Sequence, residues 1–246
     1  MAEEKEWFKY WFDSEFYHRL YRHRDEKEAA LFIDNICNFL QLPYEAKVLD
    51  LACGKGRHSV YLAQKGYNVT GIDISENSIS QAKQQEKPGL QFIVHDMRLP
   101  LAGKNFDAVF NLFTSFGYFE KKEDDQKALA SVFSMLVPGG IFVLDFMNTR
   151  QVIKNMRPEE NSEAEGTLFH IKREVKNGFI QKHISFSDNG RHYAFTEKVR
   201  NYTRFELEEM LFATGLQIIA TFGDYSLHPL DENDSQRLVL VAQKSS

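Results

Sequence analysis

Three acids stand where strand-like runs end. Asp50 follows Val48-Leu49, Asp73 follows Val69-Thr70-Gly71-Ile72, and Asp96 follows Phe92-Ile93-Val94-His95. After Asp50 comes the loop Leu51-Ala52-Cys53-Gly54-Lys55-Gly56, and a helical stretch opens at Arg57-His58-Ser59-Val60. A strand feeding a glycine loop and then a helix places a ligand at the carboxyl end of a parallel sheet. Glycine suits such a loop because the chain turns sharply and a ligand must approach bare backbone. Asp73 lies nineteen residues beyond Gly54, where a carboxylate can accept hydrogen bonds from both hydroxyls of a ribose. The dinucleotide fingerprint needs a third glycine, but Ser59 holds that position, and no G-x-x-x-x-G-K-[ST] phosphate loop is present. A nicotinamide-dependent oxidoreductase is therefore disfavoured.

Four segments in sequence order resemble the class I S-adenosylmethionine-dependent methyltransferases. They are VLDLACGKGRHSVYLAQKGYNVTGIDIS, then Phe92-Ile93-Val94-His95-Asp96-Met97, Phe106-Asp107-Ala108-Val109-Phe110 and Leu136-Val137-Pro138-Gly139-Gly140. The resemblance spans roughly residues 45–147. It implies a Rossmann-like, doubly wound α/β fold with a seven-stranded, mostly parallel sheet, and S-adenosylmethionine as cofactor. Asp50 and the loop Ala52, Cys53, Gly54 and Gly56, with Arg57, would hold the methionine part. Asp73 and Ile74 would bind ribose, and Asp96 with Met97 would read adenine. This cofactor carries no pyrophosphate, so a third glycine is not required, and its sulfonium and ammonium suit nearby acids.

The elements that must position these residues can be read in order. Residues 7–24 are dense in aromatics, including both tryptophans, and read either as a cover on one edge of the core or as a lid over the cofactor mouth. The resemblance, in which many members place an N-terminal aromatic near the methyl donor, makes Tyr17 the lid candidate. Ala29, Ala30, Phe32, Ile33, Ile36, Cys37 and Leu40 recur at helical spacing, so residues 26–40 read as an amphipathic helix with Asp25 as its cap. Helices over 57–65, 76–86 and 123–136 alternate with strands ending at Asp73, near residue 94, near residue 112 and near residue 146, the pattern of a parallel sheet with helices on both faces. Asn111, Leu112 and Phe113 leave the fourth strand on the cofactor side. Thr114-Ser115-Phe116-Gly117-Tyr118 resembles a segment of the sugar-amine N-methyltransferases, some of which have histidine at the position of Tyr118. Tyr118 is accordingly the candidate for orienting a nucleophile.

After residue 150 the pattern changes. Runs at 167–175, 179–186 and 191–202 are strand-like and are joined at Asn177-Gly178 and Asp188-Asn189-Gly190, which reads as a three-stranded antiparallel insert. The chain thus divides into 1–44, a helical segment and candidate lid; 45–150, the cofactor-binding core; 151–202, an antiparallel β subdomain, which the resemblance implies covers the substrate; and 203–246, which completes the core sheet. His170, Arg173, His183, Arg191 and His192 on the insert read as exposed strand faces, and Tyr225 and His228 are further substrate candidates.

Composition narrows the class of function. With 246 residues and 43% hydrophobic content, the chain can build a substantial core. A net charge of −5 argues against a broad nucleic-acid footprint. Cys37 and Cys53, the only two cysteines, build neither a disulfide framework nor a zinc site. The acidic start lacks the order of a signal peptide, and no apolar run is long enough to span a bilayer, so the chain reads as cytoplasmic with no membrane partner. The sequence carries no signal of oligomeric state. The reading is a methyltransferase acting on an N or O atom of a small-molecule substrate. An RNA or protein acceptor, or a non-catalytic cofactor-binding module, are the alternatives.

Overall fold

The computed structural model describes residues 6–21, 26–103 and 105–245. The acidic start at 1–5, Arg22 in the aromatic segment and the expected cap Asp25 lie outside them.

The central sheet forms where the sequence offers runs that are apolar on both faces. β1 (Lys47–Leu51), β2 (Asn68–Asp73), β3 (Leu90–Val94), β4 (Phe106–Asn111) and β5 (Leu136–Met147) pair in parallel. β10 (Leu216–Phe222) and β11 (Arg237–Lys244) form the edge hairpin, with β11 antiparallel to β5. The strand order is β10-β11-β5-β4-β1-β2-β3. The order reverses between β1 and β4, and a crevice opens beyond the carboxyl ends of strands at such a switch point.

Successive side chains of a strand alternate between faces, so one strand feeds two cores. Leu49, Leu51, Val109, Phe142 and Leu144 meet α6 (Lys122–Met135) and α8 (Arg204–Thr214) through Leu129, Val132, Leu207 and Leu211. Val48, Ala108, Phe110, Val143 and Val241 meet α3 (Glu26–Leu40), α4 (Arg57–Gln64) and α5 (Glu76–Ala82) through Phe32, Ile33, Ile36, Leu62 and Ile79.

The insert is a separate antiparallel sheet of four strands rather than three. β7 (Thr167–Lys176), β8 (Phe179–Asp188) and β9 (Arg191–Arg200) follow the runs expected, and β6 (Glu159–Ala164) is added at the edge. The polar run Glu-Glu-Asn-Ser-Glu-Ala has no apolar alternation to announce a strand, yet it pairs with β7 from Glu159 to Ala164. A short helix, α7 (Thr149–Lys154), links β5 to the insert. β5 also begins earlier than expected: residues 137–140 are absorbed as a register shift against β4 instead of forming a turn before the strand.

The aromatic N-terminal segment folds as α1 (Trp7–Trp11) and α2 (Glu15–Leu20), with Ser14 capping α2. Trp11, Phe16 and Leu20 pack on Phe169, Ile171, Ile184 and Phe186 of the insert, while Phe8 joins the core under α6. The segment therefore bridges the two sheets. Among the described residues no helix is long and apolar enough to cross a membrane.

Candidate active site

At the carboxyl ends of β1 to β4 lies a cavity of about 750 Å³. Its floor is the loop from Asp50 to Arg57. α4 starts there because Gly56 takes φ 82°, where a Cβ would stand 2.5 Å from the Phe92 ring. Gly54 (φ 55°) has open space where a Cβ would point, so bare backbone faces the cavity. Its N–H donates to Asp73 Oδ2 at 2.8 Å, and the Ser75 N–H donates to Asp73 Oδ1 at 2.8 Å. Burial pushes the Asp73 carboxyl up, and these backbone hydrogen bonds counter it. Each Asp73 oxygen retains acceptor capacity for a further donor.

Asp50 is buried against Ser59, whose hydroxyl donates to Asp50 Oδ2 at 2.5 Å. Ser59 is therefore more than a missing glycine: it satisfies the acid behind the loop. Burial, with the nearby Asp73 charge, pushes the Asp50 carboxyl up to about 6. Asp96 is held by the guanidinium fork of Arg98 at 2.5 to 3.0 Å and by the Arg98 N–H at 2.9 Å. Burial raises the Asp96 carboxyl, but the Arg98 hydrogen bonds outweigh it, so Asp96 lies below the ordinary carboxylate value.

Tyr17, Asp50, Ala52, Cys53, Gly54, Arg57, Asp73, Ile74, Asp96, Met97, Leu112, Phe113 and Tyr118 all line this one cavity. Gly56 and Asn111 do not. Gly56 acts behind the loop as described, and Asn111 is fully buried, its Nδ2 donating to Leu51 O at 3.0 Å across the β1–β4 seam. Cys53 is packed under the loop with its thiol pushed well up by burial, which suits packing rather than nucleophilic chemistry. Tyr225 is buried beside Phe113 and His228 is exposed and paired with Asp224, so neither reaches the cavity. The insert histidines and arginines also stay off it. The insert contributes Glu165, in the turn between β6 and β7.

Sequence reasoning passed over several lining residues. Lys55 is half-buried and its ammonium group has, among the described residues, no ion-pair or hydrogen-bond partner; burial lowers its pKa. His18 Nε2 is buried without a partner, and burial, together with the Lys55 charge, lowers its pKa to about 4. His58 stacks on Phe113 at 4.9 Å and burial lowers its pKa to about 3. Lys55 sits inside the glycine motif and was legible there; His18, one position after Tyr17, had no pattern to mark it. The cover above the loop is fastened by Asp13, whose Oδ1 accepts the Ser75 hydroxyl at 2.5 Å and whose carbonyl accepts from Asn77 at 3.2 Å.

A seven-stranded sheet of this order, a glycine loop after β1 and acids ending β1 and β2 define the S-adenosylmethionine-dependent methyltransferase class. The comparisons agree. Residues 48–140 match the family model described as a methyltransferase domain. The Bacillus subtilis protein YqeM, described as a methyltransferase, is 32% identical over 215 residues, covering 83% of this chain and 86% of its own. A glycine/sarcosine N-methyltransferase of Parasynechococcus marenigrum is 31% identical over 213 residues, with coverage of 82% and 72%. The chain belongs to the S-adenosylmethionine-dependent methyltransferases. Two solved structures share the fold at 22% identity. The methyltransferase from Clostridium acetobutylicum has a TM-score of 0.79, covering 94% of this chain and 97% of its own. The amino pentose methyltransferase CalS10 of Micromonospora echinaspora, with S-adenosylmethionine bound, has a TM-score of 0.68, with coverage of 91% and 93%.

Proposed function

We propose that the protein methylates an N or O atom of a small-molecule acceptor within the cavity described above. One observation carries this reading: the glycine loop, Tyr118 and the aromatic cover formed by α1 and α2 share one space, which Glu165 of the insert also lines. A concave site of this kind suits a compact molecule.

The residues present fit the cofactor. Asp73 offers its remaining acceptor capacity to ribose, and the bare backbone at Gly54 admits the methionine chain with its sulfonium. Asp96 with Met97 lines the wall suited to adenine. Lys55, lacking a protein counter-ion among the described residues, is the loop's available cation for the methionine carboxylate. When bound, S-adenosylmethionine supplies an already activated methyl for direct displacement. The protein is left to supply proximity and alignment, an effect worth roughly 7–11 kcal/mol in favourable cases.

Tyr118 donates its hydroxyl to the Thr114 carbonyl, which fixes the phenol beside the cavity, where it is the candidate for orienting the nucleophile. His18, neutral near physiological pH, offers a hydrogen-bonding nitrogen but little basicity. Phe12, Tyr17 and Phe113 give the cavity aromatic walls beside them.

The direct test supplies methyl-labelled donor to the protein with pooled small amines and alcohols, glycine and amino sugars among them, and in parallel with RNA and with protein. Label is expected in the small-molecule fraction. Label appearing only in polymer would contradict the reading, and donor binding with no transfer to any acceptor would favour a non-catalytic module.

A further inference from the structure

Phe113 and Thr114 take φ values of 57° and 61°, two consecutive non-glycine residues in the left-handed region. Such residues persist only where the surroundings over-determine them. Here the surroundings are one buried residue, Asp145, and its ion-pair partner Arg237. Asp145, at 0% exposure near the end of β5, accepts the Phe113 N–H on Oδ2 at 2.7 Å, and its backbone carbonyl accepts the Thr114 N–H at 3.0 Å. Oδ2 also accepts the Tyr225 hydroxyl at 3.0 Å. Oδ1 takes Arg237 Nε at 2.8 Å and Nη2 at 2.6 Å, and the same Nη2 donates to Thr114 Oγ1 at 2.9 Å. Asp145 and Arg237 thus grip the strained pair through backbone and side chain together.

What the strained pair presents is the cavity wall. Leu112 and Phe113 line it, Phe113 lies against His58 and Tyr225, and the Thr114 carbonyl receives the Tyr118 hydroxyl. Asp145 itself lines no part of the cavity.

We propose that Asp145, with Arg237, is a positioning residue for methyl transfer: it locks Phe113 and Thr114 in the left-handed conformation that sets the Phe113 ring, and the Thr114 carbonyl that anchors Tyr118, at the cavity wall. A buried ion pair is weak evidence of stabilisation as such. Its place beneath two strained residues, with every carboxylate bond accounted for, gives it this task instead.

The inference rests on the reading that this cavity holds S-adenosylmethionine, so wild-type binding of S-adenosylhomocysteine by calorimetry is the first arm. If the wild type fails to bind, that reading falls with it. If it binds, the second arm is Asp145→Asn combined with Arg237→Gln, which removes both charges and leaves neither one buried alone. This variant, shown folded by thermal melting, is expected to bind at least about tenfold more weakly as the strained pair relaxes. The third arm adds Thr114→Gly, since glycine takes a positive φ without strain. It is expected to recover most of the lost affinity, a rescue that a merely structural role would not give. Wild-type affinity in the double variant, or no recovery with glycine, would overturn the proposal. Should the double variant fail to fold, Tyr225→Phe keeps the ring and removes one bond to Asp145. A loss of about threefold in affinity supports the proposal, and no loss overturns it.

Discussion

Asp73 shows how one side chain can be prepared for a ligand before the ligand arrives. Two backbone N–H groups orient its carboxylate, so on the proposed reading no reorganisation would be needed for a ribose to bind. Lys55 is the complementary case, a half-buried cation with no protein anion among the described residues. Lys55→Met is expected to weaken S-adenosylhomocysteine by about tenfold, the order of one charge-assisted hydrogen bond. It should leave 5′-methylthioadenosine, which lacks the amino-acid portion, unchanged. Equal loss for both ligands in a calorimetric comparison would remove Lys55 from the methionine end. Gly56 acts through the fold. Gly56→Ala would force φ 82° on a residue with a Cβ and drive that Cβ into the Phe92 ring. The expected cost is on the order of 2 kcal/mol or more, measured by urea denaturation; a change below about 0.5 kcal/mol would contradict this account of the loop.

At the scale of elements, the cover over the cavity is held by specific bonds. Asp13 links the turn before α2 to Ser75, and Ser75 in turn caps α5 and donates its N–H to Asp73. Asp13→Ala is expected to raise amide hydrogen exchange in α2 while leaving β1 and β4 protected, because only the latch is cut. Unchanged exchange in α2 would show that packing on the insert holds the cover by itself. This level also shows what the sequence disclosed. The parallel strands were legible because burial on both faces demands apolar runs, and the loop was legible because glycine and aspartate have few other uses there. β6 was not, since its pairing with β7 comes from backbone bonds that Glu159-Glu160-Asn161 does not advertise. The bridging role of α1 and α2 was half-visible: the aromatics had to be buried, but nothing local says that their partners are Phe169 and Phe186. Asp145 was in plain view as an acid near the end of β5. Its partners Phe113, Tyr225 and Arg237 are brought together only by the folded sheet.

Over the whole molecule, several buried titratable groups oppose one another. Burial pushes Asp125 up to about 7, although the Tyr202 hydroxyl and Arg200 draw it down. A carboxyl raised in the folded state contributes stability below its unfolded pKa near 4 and loses it as pH climbs through the folded value. Asp125 and Asp50 therefore favour acid between about 4 and their folded values of about 7 and about 6. His58 and His18, lowered to about 3 and about 4, favour the upper end of the range from there to the ordinary histidine value. Asp125→Asn isolates one of these contributions. The stability difference between wild type and variant should fall by a few kcal/mol, in order of magnitude, as pH rises from about 4 to about 7, then level off. A flat difference across that range, by urea denaturation at several pH values, would contradict the burial assigned to Asp125.

The central claim is that this cavity binds S-adenosylmethionine through the acids and glycines at the strand ends. Calorimetric titration of purified, ligand-free protein with S-adenosylhomocysteine, beside an Asp73→Ala variant, tests it most directly. The expected result is one site per chain in the wild type, weakened by about a hundredfold or abolished in the variant, with both proteins folded. A folded wild type that takes up no ligand, or a variant that binds as tightly as the wild type, would contradict the assignment of the site.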